Sequence, residues 1–89
     1  MKFTWDQVKA TRNRQKHGVD FNEATTVFGD PLAGTFSDFV HSIGESRLIT
    51  VGMSCAERLL VIAHTEYNDE TRIISARPAT VHERKKYES

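Results

Sequence analysis

Hydrophobic and polar positions change period several times along the 89 residues, and each change marks an element. Lys2 to Trp5 alternates polar and apolar, the two-residue period of a short strand. Asp6 then suits a helix N-cap, residues 7–17 contain neither Gly nor Pro, and Gly18 supplies the stop. Asp20-Phe21-Asn22-Glu23 reads as a capping box that opens a second helix. Phe21, Ala24 and Phe28 follow at i, i+3 and i+7 and give that helix one apolar face. Gly29-Asp30-Pro31 ends it, and Leu32 to Phe36 reads as a short edge strand.

The second half of the chain has the period of strands. Arg47 to Met53 alternates, with Ile49, Val51 and Met53 on one face. Arg58 to Glu66 carries Leu59, Leu60, Val61 and Ile62 in succession, so both faces are apolar and the strand is central. Asn68-Asp69-Glu70 is a turn, and Arg72 to Arg77 returns as a strand that Pro78 ends. Thr80-Val81-His82-Glu83 is a second capping box, opening a helix that runs to about Tyr87. The predicted fold is a single α+β domain over residues 1–89. Its order is strand, helix, helix, an antiparallel meander of three to four strands, then helix.

Composition narrows the class. A chain of 10.1 kDa with 38% apolar and 27% charged residues is an ordinary small folded protein, too short for a large cofactor fold. Cys55 is the only cysteine, so disulfide stapling is excluded. The longest apolar run, Leu59 to Ala63, is far too short to span a membrane. Asp6 and Lys9 precede any apolar stretch, so no signal peptide is visible and a reduced, cytoplasmic setting is expected.

The formal net charge is zero, but its distribution is uneven. Residues 1–18 hold five cations against Asp6, for +4. Residues 72–89 hold five cations against Glu83 and Glu88, for +3. Residues 19–71 hold Arg47 and Arg58 against nine acids, for −7. Basic ends suggest a polyanion surface, and the acidic middle suggests a basic partner.

Candidate chemistry falls on four elements. At about 100° per residue, Lys9, Arg12, Lys16 and Asn13 share one stripe of the first helix, suited to phosphate contacts; the alternative is a solvated face. His17 closes that helix, where capping the last carbonyls competes with a role in chemistry. His64 and Glu66, two apart on the central strand, share a face and stand as a candidate acid/base pair at the rim of the core. The competing reading is a hydrogen-bonded histidine beside a solvated carboxylate. Arg72 and Arg77, five apart, point to opposite faces, so the hairpin register decides which of them joins His64. Arg84 and Tyr87 sit in the last helix, where positive charge satisfies the helix dipole. The histidines show no ligand spacing, so no metal site is expected.

Two long motifs carry a family resemblance. Phe3-x-Trp5-Asp6-x-x-Lys9-Ala10-x-x-Asn13-x-x-Lys16-His17-Gly18-Val19-x-Phe21-x-Glu23-Ala24, continued by Val27-Phe28-Gly29-Asp30-Pro31, resembles the N-terminal signature of the BrnT family of bacterial toxins. Arg58 to Glu66 and Arg72-Ile73-Ile74-Ser75-Ala76-Arg77-x-Ala79-Thr80-x-x-Glu83-Arg84-x-x-Tyr87 are similar to its C-terminal half. The segment from Ala33 to Ser46 carries little of the pattern.

The resemblance implies a RelE-like fold and a type II toxin: a cytoplasmic, metal-independent endoribonuclease that blocks translation without a cofactor. It implies a ribbon-helix-helix antitoxin encoded beside it, and operator DNA bound only through the antitoxin. Attack of an RNA 2′-hydroxyl on the adjacent phosphate needs a base, a cation and an acid. The expected roles are His64 or Glu66 as base, and Arg72 and Arg77 as phosphate clamps. Lys9, Arg12, Asn13, Lys16, His17, Arg84 and Tyr87 are the expected RNA contacts. A non-catalytic module that binds antitoxin and tunes repression is the alternative.

Overall fold

The computed structural model describes residues 1–42 and 46–89. Strand β1 is Lys2–Thr4 and helix α1 is Gln7–His17. Helix α2, Phe21–Thr26, continues into a 3-10 turn at Val27–Gly29. Strands β2 (Gly34–Ser37), β3 (Leu48–Met53), β4 (Leu59–Tyr67) and β5 (Glu70–Pro78) precede helix α3 (Val81–Glu88). The expected α+β class and meander are present. The short first strand adds a parallel edge, so the order across the sheet is β1-β5-β4-β3-β2.

Local chemistry sets the boundaries. The Asp6 carboxylate accepts from the N–H groups of Val8 and Lys9, and Gly18 closes α1 at φ 69°. Thr80 and Glu83 form the expected reciprocal capping box on α3. At α2 the expectation fails in part. Asp20 does cap, accepting from the N–H of Asn22, but Glu23 turns away to Arg58 and the Ser54 hydroxyl. A fixed cation on the neighbouring loop outcompetes the cap. The β4–β5 hairpin turns on Asn68 and Asp69, both at positive φ, with Tyr67 opposite Glu70.

The two faces of the sheet differ. Leu60, Ile62, His64, Ile73 and Ala76 point to one face, where Val19, Phe21, Ala24 and Val27 cover them and complete the core. We call this the helical face. Thr50 and Gly52 of β3 also belong to it. Gly52 is required there, because a Cβ would lie 2.8 Å from Ala33 Cβ and 2.9 Å from Val27 Cγ1. Ile49, Val51, Val61, Ala63, Thr65, Ser75 and Arg77 point to the other, open face. α3 lies over the β2–β3 side of this open face, where His82, Glu83, Lys86 and Tyr87 enclose a hollow with Leu32, Phe36 and Val51.

One irregularity matters for the site. Ala63 pairs with Ser75, but His64 pairs with Ile73, so Ile74 is an extra residue on β5.

Candidate active site

The extra residue at Ile74 flips the side-chain alternation of β5. Thr71, Ile73 and Ala76 are all buried on the helical face, whereas Arg72 lies opposite Thr65 and Arg77 opposite Val61. Both arginines therefore leave the sheet on the open face. The expectation that they point to opposite faces, with one beside His64, is corrected by this bulge: neither shares a face with His64.

Two further hollows lie on the open face. The first, of about 390 Å³, holds Arg77, Glu83, Ser75 and Arg47 over a floor of Ile49, Val61 and Ala63, with Asp38 and His41 at its rim. The second holds Arg72, Thr4, Thr65 and Glu70 near the β4–β5 turn, with Glu66 at its border turned to Thr71 on the helical face. Arg77 is fixed by Glu83 through two parallel bonds, Nη1 to Oε1 and Nη2 to Oε2, each 2.8 Å. Arg77, together with the Thr80 N–H that Glu83 also accepts, holds the Glu83 carboxyl down to about 2. Glu83 thus stays ionised and orients the guanidinium.

His64 does not stand at a solvent rim. Its ring is 1% exposed, with Nε2 2.7 Å from Thr50 Oγ1 and its face edge-on to Phe28 at 4.9 Å. Thr35 Oγ1 is 2.7 Å from the same Thr50 hydroxyl, so a short polar chain runs from edge strand to core. Burial pushes the His64 pKa below its ordinary value, against a smaller opposing pull from Glu66. A neutral ring sealed on the helical face cannot meet a polyanion on the open one. Glu66, two residues further, lies past the cover of the helices; it is exposed and accepts from Thr71 Oγ1 at 3.2 Å.

The first helix separates its candidates. Lys9, Arg12 and Lys16 are exposed, but Asn13 is 6% exposed and not part of a free stripe. Its Nδ2 donates to the carbonyls of Val19 and Ala76, and its Oδ1 accepts from the Ala76 N–H. This ties α1 to the face of β5 opposite Arg77; Arg72 lies nearer the start of the helix, where the N–H groups of Lys9 and Val8, and then the Lys9 and Arg72 charges, hold the Asp6 carboxyl below its ordinary value. On α3, Arg84 sits 3.9 Å from Glu88, and the Tyr87 hydroxyl donates to Asp30 Oδ2 at 2.5 Å. The Met53 N–H, that hydroxyl and the Leu32 N–H hold the Asp30 carboxyl below the usual carboxylate range. Tyr87 is a structural tie between α3 and the loop before β2.

Sequence reading missed Arg47, Asp38 and His41 as site residues; Asp38 and His41 come from the segment that carries little family pattern. His41 Nδ1 lies 3.0 and 3.1 Å from the two Asp38 oxygens. The i, i+3 spacing of Asp38 and His41 was the available signal. The acidic middle is also not one free surface. Glu23 pairs with Arg58, Asp30 binds the Met53 N–H at 2.7 Å, and Asp38 holds His41. Among the described residues there is no group of three or more His, Cys, Asp or Glu that could hold a metal ion. No helix of the described residues is long and apolar enough to cross a membrane.

Comparison with known proteins converges on one family. No curated protein matches the sequence significantly. The crystal structure of the Brucella abortus ribonuclease toxin BrnT matches with a TM-score of 0.71 at 24% identity, over 90% of this chain and 97% of that one. At that identity the likeness speaks for the fold. The family model described as "Ribonuclease toxin, BrnT, of type II toxin-antitoxin system" matches residues 5–83. With nearly the whole domain inside that match, the chain belongs to the BrnT family of type II toxin–antitoxin ribonuclease toxins.

Proposed function

We propose that this chain is an endoribonuclease that grips single-stranded RNA on the open face of its sheet and cuts it without a metal ion. The observation that carries this reading is the alignment of Arg77, Arg47 and Arg72 along one face, above an apolar floor of Ile49, Val61 and Ala63. Guanidinium groups there bind phosphate oxygens and stabilise the charge of a phosphorane. The nucleophile is the 2′-hydroxyl of the RNA itself. Glu66 is left out of the cleavage site, because its carboxylate turns with Thr71 to the helical face. Lys9, Arg12, Lys16 and His17 are left out of the cleavage site, because they belong to the helical side.

A ribbon-helix-helix antitoxin, encoded beside the toxin gene, neutralises the protein in the cytoplasm. Operator DNA is contacted by the antitoxin within the complex. Membership of a toxin–antitoxin family supports a partner of this kind.

The test is induction of the chain alone and together with the neighbouring reading frame. Growth arrest with new RNA 5′ ends within minutes, relieved by the partner, is the expected result. Normal growth at good expression overturns the reading and favours a non-catalytic partner-binding module.

A further inference from the structure

We infer that His41 is the proton acceptor of the cleavage reaction and Asp38 the residue that positions it. The inference rests on the ribonuclease reading above and deepens it.

Asp38 is the fixed member of the pair. Its main-chain N–H donates to the Arg47 carbonyl at 2.8 Å, its carbonyl accepts from Ser42 Oγ at 2.6 Å, and its side chain is only 16% exposed. Ser42 Oγ in turn accepts from the Arg47 N–H at 2.9 Å. This small network ties the turn to the residue before β3, which also supplies the Arg47 cation. The carboxylate takes the Nδ1–H of His41, so the other ring nitrogen, Nε2, carries the lone pair. The His41 side chain is 62% exposed, on the rim of the hollow that Arg47, Ser75 and Arg77 line.

Competing groups are placed less well. His64 is buried on the helical face. His17 ends α1 on that same side, and His82 opens onto the separate hollow between α3 and β2. Glu83 is committed to Arg77 and the Thr80 N–H. Held down to about 2, its carboxylate is a weak base.

In the proposed step, Nε2 of His41 takes the proton of an RNA 2′-hydroxyl. The 2′-oxygen forms a bond to the adjacent phosphorus, and the bond from phosphorus to the 5′-oxygen breaks. The leaving 5′-oxygen takes a proton from water, and the proton on His41 neutralises the hydroxide left behind. The products are a 2′,3′-cyclic phosphate and a 5′-hydroxyl.

The experiment compares wild type, His41→Gln, His41→Ala and Asp38→Asn, on a mixed-sequence oligoribonucleotide and in a translating extract. Thermal melting of each variant checks folding. Wild type is expected to produce cyclic phosphate ends. His41→Gln should lose roughly a hundredfold or more in rate, within the range for a general base. Asp38→Asn should lose roughly tenfold or more, as for other carboxylates that orient a histidine. Added imidazole should restore part of the His41→Ala activity and none to Arg77→Ala. Rates for His41→Gln and His41→Ala within twofold of wild type, or a loss that imidazole leaves untouched, overturn the inference. No cleavage by wild type in either assay overturns the ribonuclease reading itself.

Discussion

Arg72 and Arg77 leave the sheet on the same face although they are five positions apart on β5. In a regular strand an odd spacing sends two side chains to opposite faces. The extra residue at Ile74 cancels that rule, and the open face gains a second cation. Each arginine is then expected to bind a phosphate. Arg72→Ala and Arg77→Ala should each weaken binding of a non-cleavable 2′-deoxy oligonucleotide. Each should also lower the slope of log affinity against log salt by about 0.7, the single-strand value per phosphate contact. An unchanged slope in both variants would remove them from the interface.

Asn13 joins α1 to β5 through both main-chain polar groups of one residue, Ala76. Asn13→Ala leaves the Ala76 N–H and two carbonyls without partners in a buried setting. The expected cost is about 3 kcal/mol, since each buried unsatisfied group costs roughly 1–3 kcal/mol. For a domain of this size that lowers Tm by more than about 10 °C. A melt within about 2 °C of wild type would show that the amide does not hold the helix to the sheet.

Glu83 and His64 mark two steps in the pH dependence of stability. Glu83 has a folded pKa of about 2 against an ordinary 4.5, so its contribution is complete above about 4.5 and is lost as pH falls towards 2. His64 is lowered from 6.5 by burial, so below that pH the unfolded chain takes up the proton first and stability declines. Denaturation at a series of pH values should show one decline beginning near 6.5 and a second below about 4.5. Glu83→Gln should reduce only the second, which Glu23 and Asp30 share because their carboxyls are also held low.

Much of this fold is legible in the sequence, because its caps and periods are local. Asp6 with Gly18, and Thr80 with Glu83, bound their helices by short-range hydrogen bonds that a linear reading captures. The run Leu59 to Ile62 marks a central strand whose side chains are buried whichever face they point to. The site is less legible, because its geometry depends on non-local facts. A bulge leaves no mark in the spacing of Arg72 and Arg77. Asn13 falls at the edge of a cationic stripe, but its amide matches the Ala76 peptide group, 63 residues away. His64 follows a run of buried residues, and Thr50, which partners it, comes from another strand. Glu23 has the spacing of a capping box and is taken by Arg58, 35 residues further on.

The central claim is that cleavage occurs on the open face of the sheet, and cleavage rates with cations removed from one face at a time test it most directly. Wild type, Arg72→Ala with Arg77→Ala, and Lys9→Ala with Arg12→Ala and Lys16→Ala are compared on the same RNA, free and in a translating extract. The account predicts that the arginine variant loses roughly a hundredfold or more, the scale of one lost transition-state donor. It predicts that the α1 variant stays within about twofold of wild type. Retained cleavage in the arginine variant, with loss in the α1 variant, would contradict it and move the site to the helical face.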